Sequence, residues 1–188
     1  MISLSFPKVF GELVNLRELT IEDATTIVNL MDYDIAKYLY EVPYPYRIDD
    51  SLKFIKSSFD NFKLCKSITF GIEYNNILES KVLLVGIIGI KDIDYVNKKA
   101  NIGYWIGKQY QGKGIATECI KLVVNYAFEV LKLEEISAYV FPGNNPSIRV
   151  LEKNRFVKTG EVNKYHPLSQ RCKNSLIYLI KNKNNMSN

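Results

Sequence analysis

Histidine occurs once in this 188-residue chain, at His166, and the three cysteines, Cys65, Cys119 and Cys172, stand in no C-x-x-C spacing. So few nitrogen and sulfur ligands exclude a His- or Cys-built metal centre, and an odd, scattered cysteine set excludes a disulfide framework. Long apolar runs are missing too: the longest, residues 82–90, is about half of the ~18 residues a membrane-spanning helix needs. No basic segment leading into an apolar one opens the chain, and Glu12 arrives early, so the expected setting is a reduced, cytoplasmic one with no membrane partner. No self-similarity recurs at a period of ~20–50 residues. The one biased stretch is the polar end, 182–188, which leaves a single domain over residues 1–181.

Hydrophobic residues make up 47% of the chain and charged ones 24%, enough apolar content for one well-buried core and too much for disorder. The net charge of +5 is unevenly held: residues 1–100 carry −2 and residues 101–188 carry +7. A positive half suits nucleic acid, a membrane surface or a small anionic ligand, and a solvated lysine-rich face accounts for it equally. Basic residues are not interleaved with aromatics on one face, so nucleic acid is not an expected partner.

Alternation over 9–19 predicts a first strand, and 23–31 and 33–40 predict short helices, the second ending before Pro43 and Pro45. Asp49, Asp50 and Ser51 offer N-cap chemistry for a helix to about residue 65, with Leu52, Ile55, Phe59 and Phe62 on one face. Strands follow over 67–74, 82–93 and 98–107. The middle one is nearly all apolar and belongs at the centre of a sheet, covered on both faces. A long helix over 114–131 carries an apolar stripe that includes Ile115, Cys119, Val123 and Ala127, which assigns Cys119 to the core rather than to covalent catalysis. A strand over 135–141, a helix over 146–153 and strands over 156–165 and 172–180 complete an α+β plan: helices against one mixed, mainly antiparallel sheet of about seven strands.

The most informative stretch runs Ile102-Gly103-Tyr104-Trp105-Ile106-Gly107-Lys108-Gln109-Tyr110-Gln111-Gly112-Lys113-Gly114-Ile115-Ala116. A strand, a glycine-rich turn and a long helix in succession aim unpaired backbone N–H groups and the positive end of a helix dipole at one spot. A phosphate or pyrophosphate fits there; a plain strand-to-helix turn uses glycine in the same way. The stretch fails as a P-loop, because Gly114 stands where a Ser or Thr should hold Mg²⁺. It fails as a dinucleotide fingerprint, because Thr117 stands where a third Gly or Ala belongs and no βαβ unit surrounds it.

Gln111-Gly112-Lys113-Gly114-Ile115-Ala116 resembles instead motif A of the GNAT acyltransferase superfamily, Q/R-x-x-G-x-G/A. The strand Ile102-Gly103-Tyr104-Trp105-Ile106 is similar to the one that precedes that motif. Asn144-Asn145-Pro146-Ser147-Ile148-Arg149-Val150-Leu151-Glu152-Lys153-Asn154-Arg155-Phe156 is similar to the second signature, N-x-x-S-x-x-x-L-E-K-x-G-F. Order and spacing agree from about residue 9 to 180, and the most similar subgroup is the ribosomal-protein alanine/serine N-acetyltransferases. The resemblance implies an acetyl-CoA-dependent N-acetyltransferase with no metal. Acetyl would pass to a primary amine, a protein N-terminus or a small molecule, by direct attack in a ternary complex. A non-catalytic CoA- or nucleotide-binding sensor on the same fold is the alternative. It implies further a monomer or homodimer with helices on both sheet faces. The CoA thioester would lie in a V-shaped opening between parallel strands ending near Gly107 and Phe141.

By the same resemblance, backbone N–H groups of Gln111, Gly112, Lys113, Gly114, Ile115 and Ala116 hold the pyrophosphate. Ile106 and Gly107 pair with the pantetheine arm, and the Ile106 N–H steadies the oxyanion. Ser147 faces the CoA sulfur, and Asn144 bonds the pantetheine. The Glu proposed as base in relatives falls here at His166, whose ordinary pKa near 6.5 suits proton removal at neutral pH; the structural alternative is a surface histidine in a strand-end loop. Asn101 stands where many relatives carry Glu, so a water chain to solvent can replace a dedicated base. Tyr104 and Tyr165 are further relay candidates.

From the residues themselves, Asn145 reads as the cap of a helix with Pro146 at its first position. Arg155 replaces the Gly of the G-F pair, a strained choice if that position needs positive φ. Arg149 and Lys153 lie near the cofactor helix, where they meet phosphates or solvent. The aromatic stretch over 38–46 lines the acceptor cleft or packs under it. The slightly acidic first half suits a cationic amine.

Overall fold

A computed structural model describes residues 5–75 and 83–182. The elements are β1 (Val9–Phe10), β2 (Val14–Glu18), α1 (Asp23–Leu30), α2 (Tyr33–Ala36), α3 (Ile48–Lys63), β3 (Ile68–Tyr74), β4 (Leu83–Asp94), β5 (Lys99–Ile106), α4 (Ile115–Glu129), β6 (Glu135–Val140), α5 (Asn145–Lys153), β7 (Val157–His166) and β8 (Arg171–Lys181). They build one eight-stranded sheet in the order β1-β2-β3-β4-β5-β6-β8-β7. The strand beyond the expected seven arises at Gly11, whose N–H donates to the Val14 carbonyl at 2.8 Å and folds the first strand into a hairpin. Residue 82, expected at the start of the central strand, and the polar end from 183 lie outside the described residues.

β4 lies between β3 and β5, and Leu84, Val85, Ile87, Ile88 and Ile90 are all buried. Val85, Ile88 and Ile90 share a core with Ile115, Cys119, Ile120 and Val123 of α4; Leu84 and Ile87 share another with Ala24 and Ile27 of α1 and Ile55 of α3. Helices thus cover both faces, which is why β4 shows no alternation. Burial also pushes the Cys119 thiol well up, leaving it unreactive.

Charge fixes α1 to the sheet. Arg17 on β2 reaches the two Asp23 carboxylate oxygens at 2.7 and 2.8 Å and also bonds Glu73 on β3. Burial alone would raise Asp23, but hydrogen bonds from Arg17 and from the Thr20 N–H outweigh it and hold the carboxyl below its ordinary value.

The second helix ends at Ala36, short of the expected residue 40. Tyr38 and Tyr40 leave it for distant partners: the Tyr38 hydroxyl donates to the Gly143 carbonyl at 3.3 Å, and that of Tyr40 to Ser175 Oγ at 2.8 Å. The residues expected to cap α3 lie inside it, and Asp50 reaches back to accept the Arg47 N–H at 2.9 Å. No helix among the described residues is long and apolar enough to cross a membrane.

β5 and β6 run parallel, and their pairing is short: Lys99 with Glu135, Ala100 with Ile136 and Asn101 with Ser137. Beyond these pairs, residues 102–106 of β5 and 138–140 of β6 run on without partners in each other. The sheet therefore opens as a wedge, its mouth where β5 leads to α4 and β6 leads to α5.

Candidate active site

Strand alternation decides which groups face the wedge. The Gly107 N–H donates to the Val85 carbonyl at 2.9 Å, so the N–H and carbonyl of the preceding Ile106 point away from β4, into the opening. Gln111 Nε2 donates to that carbonyl at 2.9 Å, which leaves the Ile106 N–H facing the wedge. Gly107 itself is corrected from arm-pairing residue to turn residue. Its N–H is spent on Val85, and its carbonyl accepts the Tyr110 N–H at 2.8 Å. Its lack of a side chain makes room instead, since a Cβ there would lie 2.7 Å from Leu30 Cδ2. Gly86 on β4 allows a close approach as well: a Cβ would collide with the Trp105 carbonyl and sit 3.0 Å from Ile106 Cα.

After Lys108–Tyr110 the chain passes through two left-handed glycines, Gly112 (φ +78°) and Gly114 (φ +84°), and enters α4. Among the described residues, the N–H groups of Gly112, Lys113, Gly114, Ile115, Ala116 and Thr117 meet no protein acceptor, and no side chain caps α4. These donors and the helix dipole form a seat for an anion of phosphate size. Gln111 drops out of the expected set, because its N–H donates to the Lys108 carbonyl at 3.3 Å. The Lys113 ammonium lies over the Tyr110 and Tyr74 rings at 5.5 and 5.8 Å.

On the other lip of the wedge, Asn144 and not Asn145 caps α5. Its Oδ1 accepts the Ser147 N–H at 3.3 Å, with Pro146 one place further into the helix than expected. Ser147 Oγ lies 2.9 Å from the Tyr104 hydroxyl. Tyr104 belongs to the part of β5 that pairs with β4 but not with β6, so this hydrogen bond bridges the two lips. Burial pushes the phenol up to about 12, against a smaller lowering by its bond to Ser147. The sequence offered Tyr104 as one of many tyrosines; its position two residues before Ile106, hence on the same face, was the distinguishing signal.

His166 does not join this pair. The residue is 1% exposed, its Nε2 is 2.8 Å from the Lys37 carbonyl, and Nδ1 accepts the Ser169 N–H at 3.2 Å. These contacts make it a buried strut beside Phe141, at 4.8 Å between ring centres, rather than a loop histidine. The expectation of a base at His166 is corrected on that ground: its acceptor nitrogen is already filled. Tyr165, its neighbour, faces outward and is exposed.

Arg155 does adopt positive φ, at +66°, and the Phe156 N–H closes the end of α5 by donating to the Leu151 carbonyl at 3.1 Å. Arg149 and Lys153 are exposed. The aromatic stretch divides its work: Leu39, Val42 and Tyr46, like Trp105, pack against buried Met31, Ile35 and Ala36, while Tyr38 lines a pocket with Phe141. Among the described residues, no group of three or more His, Cys, Asp or Glu is placed to hold a metal ion.

Residues 14–157 match the family model described as acetyltransferase (GNAT) domain. The uncharacterized N-acetyltransferase YoaA of Bacillus subtilis is 31% identical over 160 residues, covering 85% of this chain and 88% of that protein. Spermidine N(1)-acetyltransferase of Escherichia coli is 28% identical over 150 residues, covering 79% and 75%. The solved structure of the microcin C7 self-immunity acetyltransferase MccE, in complex with acetyl-CoA and AMP, superposes with a TM-score of 0.81 at 23% identity, covering 92% of this chain and 94% of that one.

Proposed function

The chain belongs to the GNAT acetyltransferase family, and we infer its chemistry from that membership together with the wedge. It is an acetyl-CoA-dependent N-acetyltransferase that moves acetyl to a primary amine by direct attack in a ternary complex. Within the family it resembles the ribosomal-protein alanine and serine N-acetyltransferases. One observation carries the mechanism: β5 keeps an unspent Ile106 N–H on its open side, next to a run of unspent N–H groups from Gly112 to Thr117.

In this reading the donors from Gly112 through Lys113, Gly114, Ile115 and Ala116 to Thr117 hold the pyrophosphate of acetyl-CoA, and Asn144 lies along the pantetheine arm. The Ile106 N–H steadies the oxyanion as the amine attacks. The N–C bond forms, the C–S bond breaks, and the electron pair leaves on sulfur. Ser147 faces that sulfur, with Tyr104 behind it. A phenol near 12 lies ~3.5 pKa units above an ordinary thiol, so giving up its proton to the thiolate would cost about 5 kcal/mol. The Tyr104–Ser147 pair therefore steadies the thiolate by hydrogen bonding and keeps its own protons. With His166 occupied, the amine's proton leaves through water to solvent.

The reading extends to a cytoplasmic protein with one domain over residues 1–181, acting as a monomer or homodimer. Its test is thermal and chemical. Acetyl-CoA is expected to raise the melting temperature where ATP does not. Free thiol is expected to appear with members of a panel of N-terminal Ala and Ser peptides, polyamines and aminoglycosides. No shift with CoA at millimolar concentration would sink it.

A further inference from the structure

The phosphate seat accounts for only part of the positive charge of residues 101–188. A second concentration lies across the sheet, where β6 runs out. There the residues after α2, the turn between β6 and α5, and the start of β8 enclose a pocket of about 480 Å³, lined by Lys37, Tyr38, Phe141, Arg171 and Lys173 among others. Lys164 stands beside it, its ammonium 3.6 Å from the Tyr139 ring centre and 5.4 Å from that of Tyr40, which lies 4.4 Å from Phe141. Lys173 lies 5.9 Å over the Phe141 ring.

The hairpin register creates this cluster. Lys164 is opposite Lys173, and Arg171 is opposite His166, so three cations project from one face. Like charges directly opposite each other destabilise a hairpin. No compensating carboxylate among the described residues lies within 4.0 Å of Lys164, Arg171 or Lys173. Lys37 is the exception, paired with Asp34 at 2.7 Å. A cost of this kind is offset when an anion binds, and the aromatic faces of Tyr38 and Phe141 give the pocket an apolar wall.

Position ties the pocket to the wedge. Its Phe141 wall leads directly through Gly143 to Asn144 and Ser147, and the Tyr38 hydroxyl holds the Gly143 carbonyl. Ala138 and Val140 pack in the core with α4, so the alternate residues Tyr139 and Phe141 face the opposite side of the sheet. An occupant therefore meets the wedge from the side away from the N–H seat.

We propose that this pocket holds an anionic group of the amine acceptor, a carboxylate or a phosphate, so that the enzyme prefers acidic or zwitterionic amines to polyamines. The proposal rests on the acetyl-transfer reading. It reverses what the charge halves suggest, because β8 of the basic half forms this pocket wall, with Lys164 of β7 beside it.

The test compares three peptides with one nucleophile and different charge, Ala-Ala-Asp with a free C-terminus, Ala-Ala-phosphoserine amide and Ala-Ala-Asn amide, with spermidine as the polyamine. Either acidic peptide is expected to exceed the neutral amide by about tenfold in kcat/KM, chiefly through KM, the two anions separating the carboxylate and phosphate sources. In the double variant Arg171→Gln, Lys173→Gln the ratio falls to within about twofold, with the melting temperature and CoA affinity as controls of fold. Equal or better use of the amide or spermidine, or a preference that survives the double variant, overturns the proposal. Should no amine be acetylated, the transferase reading fails separately. Calorimetric titration of CoA-saturated protein with Ala-Ala-Asp then decides the pocket: binding weakened by the double variant supports it, and no binding at millimolar peptide overturns it.

Discussion

Removing the Ser147 hydroxyl tests the mechanism most directly, because the structure sets the size of the effect and of its coupling to Tyr104. A hydroxyl that donates to a developing thiolate makes a charge-assisted hydrogen bond worth ~1.5–3 kcal/mol, so Ser147→Ala is expected to lower kcat roughly 10- to 150-fold. Tyr104 acts one step back, through its 2.9 Å contact with Ser147 Oγ. Tyr104→Phe keeps the ring and loses one neutral hydrogen bond worth about 1 kcal/mol, a roughly fivefold drop. In the Ser147→Ala background there is nothing left for Tyr104 to support, so adding Tyr104→Phe should cost less than about twofold, a coupling of about 1 kcal/mol. The assay is thiol release at saturating acetyl-CoA with one fixed acceptor, alongside CoA affinity by calorimetry, which should change little. A phenol held at about 12 keeps its proton throughout the neutral range, so the pH–rate profile should have one shape with and without it. Equal costs for Tyr104→Phe in both backgrounds, or a near-neutral limb that vanishes with the phenol, would refute the reasoning.

The left-handed glycines give a second check. Ala at Gly112 or Gly114 meets little steric obstruction but carries ~1–2 kcal/mol of backbone strain, expected to lower the melting temperature by roughly 2–8 °C and to weaken CoA binding; an unaltered melting temperature would show that the backbone is not left-handed there. Gly86→Ala pushes β4 against Trp105 and Ile106, an overpacking cost of ~1–3 kcal/mol that should also raise the KM for acetyl-CoA, and native stability with native KM would contradict the close approach. Asp23 contributes stability at pH values above the ordinary carboxylate range, and that contribution fades as pH falls through its lowered folded value. Asp23→Asn should therefore be less stable by about 2 kcal/mol near pH 7, the denaturation curves of the two proteins converging in acid; a gap constant with pH would exclude the carboxylate as its source.

The sequence makes the order of elements readable because β4 is unbroken apolar, α4 has a clean stripe, and a glycine-rich turn joins strand to helix. Both lips of the wedge were readable for the same reason: Ile106 and Ser147 each sit at a fixed distance from a motif. Which donors are free was not. Gly107 and Gln111 are spent on Val85 and Lys108, and such pairing depends on the strand neighbour rather than on the motif. His166 was misleading in the same way, since its Lys37 partner lies 129 residues away. The cations Lys164, Arg171 and Lys173 gather only through the β7–β8 register, which composition by halves averages away. Asn144 caps in place of Asn145 because helices tolerate Pro at the first or second position, and the sequence alone does not choose.

The short ladder between β5 and β6 divides the sheet into two plates, five strands on one side and three on the other, hinged by three residue pairs. A thioester lying in the wedge would act as a cross-brace, supplying rungs that the chain itself lacks. Part of the affinity for acetyl-CoA is then stiffness gained by the protein, visible as slowed amide exchange over residues 102–106. The same brace is taken away at each turnover: as CoA departs the plates are freed, and the molecule is at its most compliant when it must exchange one substrate for the next.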